Sequence, residues 1–150
     1  MGFTFVKEVM TKNVISIDSS MTVKDAAAMM DDANVGSIII TKENIPVGIL
    51  TERDFVKRVV GKFKALSTPL SEVMSQPITV VGPDETVWDV AEVMRSKNIH
   101  KVPVQDGDKL VGIFTATDLV RVCSYGSDSQ MRKIAEQILI RLKNTPKQEA

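Results

Sequence analysis

The chain is poor in the side chains that carry out most enzymatic chemistry. Its 150 residues include one cysteine and one histidine. A single cysteine excludes an internal disulfide and a thiolate zinc cluster, and a lone histidine is a poor start for a metal site. Nothing here resembles an assembled nucleophile and base, so no catalytic activity and no catalytic cofactor are expected. Net charge is missing as well, because nineteen basic side chains balance nineteen acidic ones. No global field draws the molecule to nucleic acid or to an anionic membrane. Lys57, Arg58, Lys62 and Lys64 read as a solvated helix end rather than a nucleic-acid patch. Long apolar runs are absent too. Stretches such as Val35 to Ile40 are far too short to span a bilayer. The first residues, Met-Gly-Phe-Thr-Phe-Val-Lys-Glu, lack the shape of a signal peptide. The expectation is a cytoplasmic protein.

What the chain does have is a duplication. Val47-Gly48-Ile49-Leu50-Thr51-Glu52-Arg53-Asp54 returns 64 positions later as Val111-Gly112-Ile113-Phe114-Thr115-Ala116-Thr117-Asp118. The same shift carries Val9-Met10 onto Val73-Met74, Thr22-Val23 onto Thr86-Val87, Met30 onto Met94 and Asn34 onto Asn98. A repeat this regular governs the reading of the whole fold.

Local patterns place elements on that frame. Thr22 and Asp25 form a Thr-x-x-Asp box ahead of a helix that puts Val23, Ala26, Ala27 and Met30 on one face. Asn34 and Gly36 end it, and Val35 to Ile40 reads as a buried strand. A strand from Val47 to Leu50 leads into a second helix carrying Phe55, Val56, Val59 and Val60. The second half follows suit, with strands Ile78 to Val81, Val102 to Val104 and Leu110 to Phe114. Each half is thus β-α-β-β-α. The expected fold is α+β: two such repeats, residues 6–60 and 72–123, joined by a connector at 61–71. A C-terminal helix at 127–143 has no counterpart in the first half; it either docks on its own core or meets a partner. A single repeat leaves one apolar sheet face wet. Packing sheet to sheet about a pseudo-twofold axis would remove that face from water, at about 25 cal/mol per Å² of apolar area.

Thr51-x-x-Asp54 and Thr115-x-x-Asp118 are capping boxes on spacing alone, worth about 1 kcal/mol each. They differ from the boxes at Thr22 and Thr86 in following a strand and a glycine directly, and in forming a matched pair. The recurring methionines at 10, 30, 74 and 94 read as core filling, Cys123 as a small buried hydrophobe and Trp88 as half exposed.

The repeat, the Val-Met near each start and the Gly-Ile-x-Thr-x-x-Asp at each end resemble a tandem pair of CBS domains, the regulatory motif named for cystathionine β-synthase. The resemblance covers about residues 6 to 123. It implies a stand-alone, non-catalytic module whose clefts between the repeats hold an adenosine ligand, of the AMP, ADP, ATP or S-adenosylmethionine type. It implies that Asp54 and Asp118 accept hydrogen bonds from ribose hydroxyls and that Thr51 and Thr115 add a hydroxyl each. Arg53, His100 and Lys101 would supply positive charge, the latter two reaching into the cleft of Asp54. Val14, Ile15, Ile38 and Ile40, with their counterparts Ile78, Thr79, Val102 and Val104, would lie against the base. Gly36, Ser37 and Thr117 stand where the second cleft would need its cations. The Asp54 cleft is therefore expected to be the better phosphate site. The resemblance further implies a homodimer and a regulated partner protein. The competing reading is a dimeric interaction scaffold that binds no nucleotide.

Overall fold

A computed structural model describes residues 4–125; the helix expected at 127–143 lies outside them. The chain divides into two compact units. One comprises residues 13–79, and the other joins the residues before Asn13 to those from Val80 onward.

In the unit of residues 13–79, β1 (Ser16–Asp18) runs parallel to β2 (Ser37–Lys42), and β2 pairs antiparallel with β3 (Ile45–Thr51). The crossover between the parallel strands is α2 (Val23–Ala33). Thr22 caps it from one end by accepting the Asp25 N–H, while the Asp25 carboxylate takes the Thr22 N–H in return. Asn34 closes the other end in the left-handed conformation, at φ 54°. The core gathers Ile17, Val23, Ala26, Met30, Ile38, Ile40 and Leu50, with Val59, Leu70, Val73 and Met74 from the later segments. Ala27, expected on the core face, is exposed, whereas its counterpart Ala91 is buried.

The helix expected after Thr51 is not regular. Three α-helical residues, α3 (Glu52–Asp54), give way to a π turn at Phe55–Val59 and then a 3₁₀ turn at Val60–Lys62. Gly61 makes the wide turn feasible, since a Cβ there would lie 2.7 Å from the Val56 carbonyl oxygen. The widened turn also breaks the apolar stripe. Val59 is buried, but Val56 and Val60 face solvent, as do Phe63 and Leu66 beyond them.

In the second unit, α1 (Val6–Val9) and α4 (Val87–Lys97) accompany a hairpin of β4 (Lys101–Asp106) and β5 (Lys109–Thr115). The hairpin leads into α5 (Ala116–Tyr125). The core includes Val6, Val81, Val87, Val90, Met94, Val102, Phe114 and Leu119.

Here the expected strand at Ile78 to Val81 is reduced to a single parallel bridge between Val81 and Val104. Its two hydrogen bonds run from Val81 N–H to Pro103 O and from Gln105 N–H to Val81 O. Pro103 explains the shortening. Its counterpart Ile39 donates its N–H to Ile15 O at 3.0 Å, and proline has no N–H to repeat that bond. The second sheet consequently has two strands where the first has three.

The compact units do not follow the sequence repeats. Thr11, from the start of the first repeat, exchanges two backbone hydrogen bonds with Ile113 in β5. Ser75, 64 positions on, does the same with Ile49 in β3. Each repeat's opening arm therefore closes the hairpin of the other repeat's unit.

Candidate functional site

The geometry shared by the two units centres in each on a Thr-x-x-Asp box, placed where a hairpin strand turns into a helix. Thr51 has extended backbone and receives the Asp54 N–H on Oγ1 at 3.3 Å. The Asp54 Oδ2 accepts the Thr51 N–H at 2.9 Å and its hydroxyl at 3.1 Å. The arm adds a further donor, because the Ser75 hydroxyl reaches Asp54 Oδ1 at 3.2 Å. Arg58 Nε lies 3.4 Å from the same oxygen. The carboxylate side chain keeps only 12% of its surface exposed.

The box at Thr115 repeats this arrangement. Asp118 Oδ2 accepts the Thr115 N–H and hydroxyl, both at 3.0 Å. Thr11 donates its hydroxyl at 3.1 Å, and Arg121 Nη1 sits 3.4 Å from Oδ1. Asp118 is the more enclosed, at 2% exposure. Both carboxylates are thus turned onto their own helix starts and onto a hydroxyl of the arm. A carboxylate offers about four lone-pair positions, so little acceptor capacity is left over at either.

The remaining expected site residues are dispersed. Arg53 is exposed. His100 and Lys101 stand half-buried at the start of β4, in the unit that does not contain Asp54. The His100 carbonyl accepts the Ala116 N–H at 2.8 Å, as the Gly36 carbonyl accepts the Glu52 N–H at 3.1 Å. Val14 and Ile15 lie half-buried ahead of β1, and Ile78 is half-buried outside any strand. Ile38, Ile40, Val102 and Val104 are completely buried in their own cores. Their side chains belong to those cores.

Four participants escaped the sequence reading: Ser75, Thr11, Arg58 and Arg121. Thr11 and Ser75 could have been found, since both carry a hydroxyl and directly follow the matched Val-Met pairs. The arginines are out of register, because Arg58 matches Val122 and Arg121 matches Lys57. A cleft of about 350 Å³ also opens in the unit of residues 13–79, lined by Met30, Asp31, Asn34, Val35, Glu52 and Phe55 among others. Asp54 is not part of its wall. Among the described residues no cluster of His, Cys, Asp or Glu could hold a metal ion, and no helix is long and apolar enough to cross a membrane.

A family model for the CBS domain matches residues 6–61 and again residues 70–125. The chain belongs to the CBS-domain family. Among its CBS relatives is the CBS domain-containing protein YhcV of Bacillus subtilis, 31% identical over 134 residues. That match covers 88% of this chain and 96% of YhcV. The crystal structure of the CBS domain protein TA0289 of Thermoplasma acidophilum matches with a TM-score of 0.77 and 30% identity, over 95% of this chain and 78% of that one. The CBS domain pair of protein MJ0100, crystallised in complex with 5′-methylthioadenosine and S-adenosyl-L-methionine, matches with a TM-score of 0.71 and 30% identity. It covers 82% of this chain and 98% of that one. The fold is accordingly the mixed helix-and-sheet architecture of a CBS pair, with a small sheet in each unit.

Proposed function

We propose that this CBS pair is a non-catalytic sensor that binds an adenosine compound through Asp54 and Asp118 and passes its occupancy to a protein partner. The observation that carries the reading is the matched construction of the two boxes. Each sets a carboxylate beside a threonine hydroxyl from its own hairpin and a second hydroxyl from an arm. A cis-diol is a natural competitor for such hydroxyl donors, because it offers two hydroxyls at the spacing of a carboxylate's oxygens. The complex of the MJ0100 pair with two adenosyl compounds supports that ligand class. Thr51, Thr115, Arg53, His100 and Lys101 are kept as ligand contacts, with Val14, Ile15 and Ile78 as the apolar flank. The module would work as a homodimer in the cytoplasm.

A ligand-stability panel with AMP, ATP, adenosine and S-adenosylmethionine tests this directly. A compound present at 100 times its Kd should stabilise the fold by about 2.7 kcal/mol. Mass spectrometry of whatever is released on denaturing the purified protein would name the compound. No shift with any member, and no adenosyl compound released, would overturn the reading.

One observation favours a second reading, the dimeric interaction scaffold. Both carboxylates already have their hydrogen bonds, while Val56, Val60, Phe63 and Leu66 are at least 61% exposed within a short stretch. A protein that associates at unchanged strength with and without every ligand of the panel would be the scaffold.

A further inference from the structure

The four donors at Asp54 are not equally held. Thr51 supplies two of them within its capping box, and Ser75 is fixed by its backbone pairing with Ile49. Arg58 is the odd one. Its Nε contact with Oδ1 is long, at 3.4 Å, and its side chain is 48% exposed. The same guanidinium donates from Nη1 to the Met74 carbonyl oxygen at 2.9 Å. One side chain therefore ties the carboxylate to the backbone of the arm, which leads out of the unit through Thr79. Among the described residues the second unit shows no such tie: the contact of Arg121 stops at Asp118.

The two helices differ in which position answers the carboxylate. Positions i+3 and i+4 both neighbour residue i on a helix face, and in the first unit it is i+4, Arg58, that takes Asp54. In the regular α5 the carboxylate meets position i+3, Arg121, whose register partner is Lys57. A lysine at that point would present a single nitrogen in place of the guanidinium's planar fork.

We propose that Arg58 is the displaceable occupant of Asp54, and that its displacement by a ligand hydroxyl loosens the arm at Met74–Ser75. This rests on the reading of Asp54 as a carboxylate that binds a diol. The carboxylate is saturated, so an incoming hydroxyl must remove a donor. The long, half-exposed contact is the one with water to go to. When the guanidinium leaves Oδ1, the Met74 carbonyl loses its charged donor as well. By linkage, anything that loosens the arm favours the ligand to the same degree.

The test uses the full chain as wild type, Arg58→Gln, Arg58→Lys and Asp54→Ala, with adenosine as the probe so that no phosphate charge enters. Amide exchange is followed by NMR at Ser75 and Ile49, and affinity by calorimetry. Without ligand, Arg58→Gln should exchange at these two amides about threefold faster or more, as expected when a local tie is lost. It should also bind adenosine about threefold or more tightly, because a competitor is gone. Adenosine should speed exchange in the wild type and leave Arg58→Gln unchanged. Arg58→Lys should fall between, since a single nitrogen replaces the two that Arg58 uses. Unchanged exchange in ligand-free Arg58→Gln would overturn the tie itself, whatever binds. Weaker adenosine binding by Arg58→Gln would overturn the displacement. Wild type that binds adenosine no better than Asp54→Ala would remove the diol reading, and the coupling with it, while the ligand-free exchange still decides the tie.

Discussion

Met74 packs its sulfur over the bare Cα of Gly48, so closely that a Cβ there would lie 2.6 Å from Sδ. Met10 stands in the same relation to Gly112, also at 2.6 Å. The glycines of the two Gly-Ile-x-Thr-x-x-Asp motifs therefore serve the arms: without a Cβ, the strand lets a crossing segment lie against it. Behind each sulfur is a backbone oxygen, Ser75 O at 3.0 Å from the first Cβ position and Thr11 O at 2.9 Å from the second. A methionine can swing aside, but a paired backbone cannot. Gly48→Ala and Gly112→Ala should each cost about 1–3 kcal/mol in denaturant unfolding, the usual penalty of overpacking. Trimming Met74 or Met10 to alanine in the same chain should not restore the loss. Full rescue would mean that the arms sit less tightly than described.

The two carboxylates should respond unequally to AMP. Asp118 is at 2% exposure and Asp54 at 9%, so the second is the more reachable. Each box has one arginine at 3.4 Å from its carboxylate, but Arg53 adds a second cation beside Asp54 in sequence where the other box has Thr117. In calorimetry, Asp54→Ala should lose at least about tenfold more AMP affinity than Asp118→Ala, a difference of about 1.4 kcal/mol. Equal losses would remove the asymmetry.

Acid stability should report the box at α2. The Asp25 carboxyl is held below its ordinary value of 3.8, first by the Thr22 N–H and then by the Thr22 hydroxyl. A carboxyl depressed in the folded state contributes stability that is fully present above its unfolded value. That contribution fades as pH falls from there through the folded value. Thr22→Val removes the hydroxyl and leaves the N–H. The Asp25 titration, followed by its carboxyl ¹³C resonance, should then move up toward 3.8 without reaching it. An unmoved midpoint would show that the backbone bond alone sets the shift.

Phe63 is a bulky residue in the left-handed region, at φ 56°, with 95% of its surface exposed. Such a residue gives up about 1–2 kcal/mol to backbone crowding, part of which a glycine would return against its greater unfolded entropy. Phe63→Gly should therefore leave thermal stability unchanged or raise it, by up to about 1 kcal/mol. A drop in Tm together with a smaller mass in light scattering would place this ring in a subunit contact. That outcome would strengthen the scaffold reading.

Pro103 offers a test of the shortened sheet. Pro103→Val restores an N–H at the position from which Ile39 donates to Ile15 in the first unit. The new amide at 103 should be protected from exchange by NMR, and the parallel ladder should extend past Val81 toward Thr79. A rapidly exchanging amide would mean that another feature ends the strand.

Much of this molecule was decided by residues close together in the chain. The 64-residue repeat, the Thr-x-x-Asp caps and the left-handed asparagines at positions 34 and 98 follow from contacts within a turn or two. So does the mixed helix-and-strand order of each half. Sequence alone read the methionines at 10, 30, 74 and 94 as core and Cys123 as buried, because apolar side chains of that size leave water wherever they can; Met10 alone of these is only partly buried. Which hairpin each arm would close was another matter. Thr11 meets Ile113 across a separation that no local pattern measures, and the same holds for Ser75 with Ile49. Those pairings brought the hydroxyls to Asp118 and Asp54, filled the carboxylates, and turned open caps into closed ones. The tie of Arg58 to Asp54 and to the Met74 carbonyl belongs with them, since Met74 arrives from 16 residues further along the chain. Short-range order is written in neighbours, but the occupancy of an acceptor depends on every chain segment that packing brings within 3 Å or so of it.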